Sequence, residues 1–180
     1  MENDKIINWC INQSRKQRHD FMNYLQVIYG YLQINKPNDA LNYIRKINNK
    51  MVMLSQIYNL ESNLIALIMQ DIIGVIERCG LDWYIKNIIS YISDEQITKN
   101  INKYFDILEK LKNELLNILK SEFKKQELYL TLFVKDNIQY ILITNNSEVE
   151  VVQTLEFKND ADLIYKLNLK DNKAILIKVV

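Results

Sequence analysis

The stretch RKQRHDFMNYLQVIYGYL, residues 15 to 32, holds His19, the one histidine among 180 residues. Interface positions on either side of it recur in alternating steps of three and four, which predicts a helix packed against other helices. These positions are Ile7, Ile11, Ser14, Arg18, Phe21, Leu25, Ile28 and Leu32. His19 lies roughly 150° around the helix from the mean direction of the last four, at about 100° per residue. The spacing therefore places His19 on the solvent side of a long helix.

The helix face that carries His19 is polar, basic or small. Its members are Asn12, Arg15, Lys16, Asn23, Gln26 and Gly30. Because no large apolar side chain stands on this strip, a partner protein could dock flat against it. Asp20 follows His19 directly, and Asn23 lies one turn later, where helical side chains meet. The plainer alternative is that His19 is a solvated surface residue without a role.

The residues around His19 resemble a known phosphoacceptor helix. The run from Arg18 to Asn23, with Leu25 to Ile28 and Gly30 to Leu32, is similar to the sporulation initiation phosphotransferase B family. The same His-Asp-x-x-Asn-x-Leu-Gln core marks the dimerisation helix of citrate-type sensor histidine kinases. The resemblance covers residues 14 to 60. It implies that His19 is the phosphoacceptor and that Asp20 and Asn23 act beside it.

A second helix is predicted to begin near Pro37, the only proline. Proline is tolerated in the first helical turn, and the carboxylate of Asp39 there faces the positive end of the helix dipole. The short Asn35-Lys36 connection makes the two helices antiparallel neighbours. The second helix repeats the spacing of the first, so we expect the two seams to face each other. Its seam positions are Ala40, Ile44, Ile47, Met51, Leu54 and Tyr58.

The apolar arc of the first helix is wider than one neighbour buries. Tyr24, Val27 and Tyr31 extend it to about 160°. We therefore expect a twofold dimer in which two hairpins form a four-helix bundle, as the family resemblance also implies. The alternative is a monomer whose C-terminal region covers the second face.

The rest of the chain predicts an α+β fold. A helix apolar on most sides spans 60–79 and ends at Gly80, 81–92 is strand-like, and Ser93 to Gln96 has capping-box spacing for a helix over 94–124. Apolar segments then predict strands over 128–134, 138–144, 149–157, 163–169 and 174–180. The turns expected between them are Lys135-Asp136-Asn137, Asn145-Asn146, Asn159-Asp160 and Asp171-Asn172. The domains are thus an N-terminal antiparallel helical hairpin over 1–59 and an α/β sandwich over 60–180. The order of elements in the sandwich resembles a histidine-kinase ATPase domain.

Nucleotide binding is not expected in that domain. Kinase domains of this family need a glycine turn under the adenine and a glycine-rich lid, because only glycine lets backbone amides approach phosphate closely. The chain has three glycines, and none follows residue 80. Asn113 and Asn117 lack the Asn-Ala-x-Glu-Ala context of a magnesium motif. A degenerate ATPase-like domain is the prediction.

Composition excludes several other classes of protein. With 23 basic and 22 acidic residues, the net charge of +1 gives no field suited to nucleic acid or an anionic membrane. The longest apolar run, 64–69, is far short of the roughly 20 residues that span a bilayer, and no signal-peptide order is present. A soluble cytoplasmic protein is expected. Cys10 and Cys79 lack metal spacing and predict neither a disulfide framework nor a zinc site.

The function expected is histidine phosphotransfer. A largely neutral imidazole is a competent nucleophile toward an aspartyl phosphate. The transfer needs in-line positioning and charge neutralisation, so Mg²⁺ carried by the partner suffices and this chain needs no metal or cofactor. Arg15, Lys16 and Arg18 could neutralise phosphate or meet the acidic rim of a receiver domain.

We therefore expect a dimeric phosphotransferase that relays phosphoryl groups between response-regulator receiver domains, as in a sporulation-type phosphorelay. One alternative is a noncatalytic kinase-like module that sequesters a response regulator or pairs with a sensor kinase. Another is a structural helical dimer with an incidental histidine.

Overall fold

Two long helices come first along the chain, and a helix-covered sheet follows. The structure, a computed structural model, describes residues 2–90, 93–95, 101–123, 126–148, 164–169 and 172–179. Its elements are α1 (Glu2–Gln33), α2 (Pro37–Tyr58), α3 (Asn63–Arg78), β1 (Asp82–Ile88), α4 (Ile101–Glu122), β2 (Glu127–Lys135), β3 (Ile138–Thr144), β4 (Ile164–Leu169) and β5 (Asn172–Lys178). The chain divides into two compact units, Met1–Gln56 and Ile57–Val180. The α+β fold class predicted from the sequence is confirmed.

The turn between α1 and α2 is closed by backbone hydrogen bonds. Asn35 takes a left-handed conformation with φ of 56°, which asparagine tolerates better than most residues. The amide of Lys36 donates to the carbonyl of Tyr31 at 2.9 Å, the six-to-one bond that ends many helices. Pro37 then occupies the first position of α2. The chain reverses within three residues, so α1 and α2 form an antiparallel hairpin.

The contact between α1 and α2 uses a different line of residues from the predicted seam. The ring of Tyr43 on α2 lies 6.4 Å from that of Tyr24 and 6.2 Å from that of Tyr31. The half-buried line on α1 consists of Ile6, Trp9, Gln13, Lys16, Asp20, Tyr24, Ile28 and Tyr31. Of the predicted α1 seam only Ile28 belongs to it. The expectation that the two seams face each other within one chain is therefore wrong for most positions.

Most of the predicted α1 seam faces solvent instead, because the apolar arc of α1 is too wide for α2 to cover. The exposed apolar side chains form a surface that we call the open apolar face, and each of them is 42–63% exposed. Its members are Ile7, Ile11, Phe21, Met22, Leu25, Tyr29 and Leu32 on α1, with Leu41, Ile44, Met51 and Val52 on α2. Among the described side chains of residues 4–56, only Ala40 is buried. The hairpin has almost no core of its own.

The start of α3 is fixed by two side chains. Ser62, fully buried, is the N-cap, and its hydroxyl accepts from the amide of Ile65 at 3.1 Å. The same hydroxyl donates to the carboxylate of Asp94 at 2.5 Å, and Asp94 also accepts from the amide of Leu64 at 3.2 Å. Ser93 was predicted to begin a capping box for the helix that follows it. Asp94, the next residue, instead caps the start of α3. The other end of that predicted box, Gln96, lies outside the described residues.

The sheet has five strands in the order β1-β2-β3-β5-β4. β1 and β2 are parallel, and the remaining neighbours are antiparallel. The β2–β3 hairpin turns at Asp136 and Asn137, with φ of 52° and 61°. Two consecutive left-handed residues define the tight turn that matches the strand twist, which asparagine and aspartate favour. The Lys135-Asp136-Asn137 turn predicted from the sequence is confirmed.

Apolar side chains are buried on both faces of the sheet. On one face, Trp83 donates its indole N–H to the carboxylate of Glu77 on α3 at 3.2 Å, which identifies the face that the helices cover. Ten of the 16 residues of α3 are buried, and Lys112 on α4 pairs with Asp71 on α3 at 3.4 Å. A second cluster occupies the other face and consists of Phe133, Tyr140, Leu142, Ala174 and Leu176. The second unit therefore has the core that the hairpin lacks.

Several predicted elements lie outside the described residues. They are the strand over 149–157, the turn at Asn159-Asp160 and the last residue of the strand predicted over 174–180. The described strands β2, β3, β4 and β5 match the other four predicted segments within two residues at each end. Gly80 follows α3 with φ of 70°, as expected for a glycine just past a helix end.

The cap at Ser62 can be tested through stability. Ser62→Ala removes one hydrogen bond to the α3 amides and leaves the half-buried Asp94 carboxylate short of a donor, so the second unit should lose about 1–2 kcal/mol in free energy of unfolding. Urea unfolding, followed by the fluorescence of buried Trp83 in a Trp9→Phe background, measures this. Ser121→Ala, at an exposed serine of α4, is the control and should change stability by less than about 0.5 kcal/mol. Equal effects of the two variants would contradict the cap.

Candidate functional site

His19 stands in the middle of α1 with its side chain in solvent. The imidazole is 74% exposed, because the residues that contact α2 lie on another side of the helix. Leu25, in the open apolar face, lies about 120° around the helix axis from His19. The exposure predicted from helical spacing is thus found in the structure, and a rigid helix holds the histidine rather than a loop.

Two neighbouring side chains meet the same ring nitrogen of His19. The carboxylate Oδ1 of Asp20 lies 3.4 Å from Nδ1, and the amide Nδ2 of Asn23 lies 3.2 Å from Nδ1. Both contacts are to Nδ1, and neither involves Nε2. The predicted neighbours Asp20 and Asn23 are therefore brought together with His19, and they converge on one atom.

This geometry bears on which nitrogen of His19 carries the proton. A carboxylate is an acceptor only, so Asp20 favours the tautomer in which Nδ1 bears hydrogen. The amide of Asn23 can donate to a bare Nδ1, or it can turn and accept from Nδ1–H through its oxygen. With Nδ1 protonated, the lone pair of the neutral ring resides on Nε2. Asp20 thus points the nucleophilic nitrogen outward.

The strip around His19 is mostly open. Asn12, Arg15, Asn23 and Gln26 are exposed, and the guanidinium of Arg15 donates to Asn12 at 3.5 Å. Lys16 is half-buried, since it also belongs to the line that faces α2.

Gly30 is half-buried three turns along the same strip, and a methyl group added there would meet nothing within 4 Å. The chain itself therefore does not require glycine at that position.

Arg18 does not share this strip. Consecutive helical residues differ by about 100°, and this rotation turns Arg18 from His19 toward the open apolar face. Together with Cys10, Ile11, Ser14 and Arg15 it lines an open depression on α1. Of the predicted docking residues, Arg18 is thus the one that the helix places on a different surface from His19.

Charge is unevenly distributed along the chain. Residues 1–60 contain eight basic and four acidic residues, whereas the whole chain has a net charge of +1. Within the described residues, no group of three His, Cys, Asp or Glu side chains is arranged to hold a metal ion. No helix among the described residues is long and apolar enough to cross a membrane. The hairpin is therefore the basic part of a nearly neutral chain.

Comparison with known proteins agrees with this description of the hairpin. Residues 1–60 match the family model described as Sensor_kinase_SpoOB-type, alpha-helical domain. The curated protein sequences give no match. The histidine kinase AdeS of Acinetobacter baumannii is similar at 12% identity and a TM-score of 0.32, over 89% of this chain and 96% of that one.

The family match covers the helical hairpin, which is one third of the chain. The His19 motif, the antiparallel hairpin and the match all fall within the same 60 residues.

Sequence analysis overlooked part of the open apolar face. Met22, Tyr29, Leu41 and Val52 were not assigned to any seam, although they are 50–63% exposed beside the seam residues. For Met22, Tyr29 and Leu41 the available signal was their spacing of three or four residues from Arg18, Leu25 and Ile44. The face is consequently broader than a two-position heptad seam.

The protonation of His19 can be measured without interference from another histidine. Long-range ¹H–¹⁵N correlation spectra should show the neutral ring with more Nδ1–H than in an exposed model histidine, because Asp20 accepts from that atom. Asp20→Asn should lower the Nδ1–H fraction. Asn23→Ala, which removes a potential donor to Nδ1, should not lower it. An unchanged tautomer ratio in Asp20→Asn would show that the carboxylate has no such role.

Proposed function

We propose that this protein is a histidine phosphotransferase that accepts a phosphoryl group on Nε2 of His19 from a phosphorylated receiver domain and passes it to another. The observation that supports this most is the exposed imidazole whose Nδ1 meets Asp20 and Asn23. A structural histidine would gain nothing from two polar neighbours on one nitrogen and none on the other.

The proposed transfer follows from the protonation state. The Nε2 lone pair attacks the phosphorus of the aspartyl phosphate, the bond from phosphorus to the aspartate oxygen breaks, and the aspartate leaves as a carboxylate. The imidazole ring becomes positively charged, because it keeps the proton on Nδ1. The Asp20 carboxylate, 3.4 Å from Nδ1, would stabilise that charge. The return transfer to a second receiver runs through the same steps in reverse order.

The receiver domain is the proposed partner because the strip and the charge suit it. The strip presents polar and small side chains without a bulky one, so His19 can reach into a shallow pocket without refolding of either partner. Arg15 and Lys16 place positive charge beside the histidine, opposite the acidic residues that hold Mg²⁺ in a receiver. The metal would come with the partner, and this chain would bind no cofactor of its own.

Phosphorylation from ATP is not part of the proposal. The second unit has Gly80 as its last glycine, and a lid that closes over phosphates needs several. The phosphoryl group would thus arrive from another protein, as in a sporulation-type phosphorelay in the cytoplasm. A kinase-like module that binds a response regulator without transfer is the alternative.

A homodimer is proposed as the working assembly. The open apolar face extends along both helices, from Ile7 to Leu32 on α1, about 37 Å at 1.5 Å per residue. Among the described residues beyond 58, the exposed large hydrophobic side chains are Tyr84 and Ile89. The hairpin of a second copy offers an apolar face of matching length and shape. Two hairpins would then complete a four-helix bundle.

The transfer itself is the central prediction. Incubated with Mg²⁺ and a cognate receiver phosphorylated on aspartate, the protein should acquire an acid-labile, alkali-stable phosphate on His19 and pass it to a second receiver. His19→Ala should abolish labelling without loss of helix content, because alanine is a good helix former at an exposed site. Asn23→Ala should slow the transfer less, since that side chain only positions the ring.

Two outcomes would favour other functions. If receivers from the same cell bind the hairpin tightly and none labels His19, the noncatalytic module replaces the phosphotransferase. Calorimetry should show no binding of Mg-ATP, and if labelled ATP alone labels the protein, the protein is a kinase.

The assembly is tested by a pair of neighbouring substitutions. Leu25→Asp places a charge in the open apolar face and should cost several kcal/mol of pairing free energy, because a buried charge has no partner there. Gln26→Asp adds the same charge on the polar strip and should leave the dimer intact. Light scattering at several concentrations measures both. A dimer that survives Leu25→Asp must use another surface.

A further inference from the structure

Polar residues interrupt the open apolar face at the level of the phosphoacceptor. On α1, Ser14 and Arg18 lie between Ile11 and Phe21, and both are exposed. Both lie within about 20° of Leu25 around the helix axis, in the centre of the face rather than at its edge. The apolar surface is thus divided into an N-terminal patch around Ile7 and Ile11 and a larger patch from Phe21 onward.

The second helix continues this interruption. The ring of Tyr43 lies against those of Tyr24 and Tyr31, so Tyr43 is level with the middle of that stretch of α1. Because the helices are antiparallel and rise equally per residue, Ser55 lies at a height along the hairpin between Ser14 and Arg18. Ser55 is exposed, and its hydroxyl donates to the carbonyl of Val52 at 2.7 Å. We call these three residues, Ser14, Arg18 and Ser55, the polar layer. It crosses the hairpin on the face that would meet a second copy.

We propose that the polar layer sets the register of the dimer and holds its affinity below what an uninterrupted apolar face would give. The proposal rests on the dimer proposed above. Where two hairpins pair around a twofold axis along the bundle, the layers of both copies meet at one level. In that register each Arg18 lies among hydroxyl groups and can extend its guanidinium toward solvent. A shift by one heptad would set Arg18 against Ile11 or Leu25.

The energetic argument is that of a polar residue in a helical seam. Burying a charge against apolar side chains costs far more than meeting another polar residue, so shifted pairings are disfavoured. A polar residue at a seam position specifies the register of the paired helices and also lowers the stability of the pair. Two like charges also come close in the correct register. Arg18 is therefore assigned to the pairing of copies, whereas Arg15 and Lys16 remain beside His19 for the receiver.

The affinity is tested by Arg18→Leu in the full chain, with Lys46→Leu as the control. Lys46 is an exposed basic residue of α2, and it lies at least about 120° around the helix from each α2 member of the open apolar face. Sedimentation equilibrium should give a dimer Kd at least about ten-fold lower for Arg18→Leu. Lys46→Leu also removes one positive charge and should change the Kd less than about two-fold. If both variants lowered the dimer Kd equally, the effect would come from net charge alone, and the proposal would be overturned.

The register is tested with a spin label on Cys10, an exposed natural thiol near the layer, in a Cys79→Ser background. Pulsed electron resonance should give one narrow distance in the dimer and a broader or split distribution in Arg18→Leu. The same single distance in both would overturn the register. An unmutated chain that stays monomeric would remove the dimer and with it this proposal, but leaves the transfer chemistry of His19 to its own assay.

Discussion

The hairpin depends on apolar surface that it cannot bury alone. Its two helices contact along one line, and a single described side chain up to residue 56, Ala40, is fully buried. Isolated helices are marginal in water, and tertiary packing supplies most of their stability. The open apolar face is therefore the strongest constraint on the first unit. In the proposed dimer, burial of this face would link the folding of the hairpin to its assembly.

The position of His19 follows from the same constraint. One side of α1 faces α2 and a second side carries the open apolar face, so only the remaining side is free for polar chemistry. His19, Asn23 and Gln26 lie there, and Asp20 lies where that side borders the contact with α2. A regular helix fixes the ring against Asp20 and Asn23 without loops or cofactors. Arg18, one residue away, belongs to the other surface, so the proposed pairing and the proposed phosphotransfer would use adjacent residues with separate tasks.

The second unit is stable for a different reason. Its sheet buries apolar side chains on both faces, and the Ser62–Asp94 cap and the Lys112–Asp71 pair hold its helices. These contacts need no second copy.

The sequence by itself determined the helices, most strand positions, the β2–β3 turn and the exposure of His19. These follow from local rules: residue spacing around a helix, alternation along a strand, and the backbone preferences of asparagine and glycine. Only the tertiary structure decided which line of α1 residues contacts α2. The apolar arc of α1 is about 160° wide, so several different lines of residues could pack against one neighbouring helix. The cap from Asp94 was equally hidden, because it joins residues about 30 positions apart. The convergence of Asp20 and Asn23 on Nδ1 depends on side-chain rotamers, which spacing along a helix does not specify.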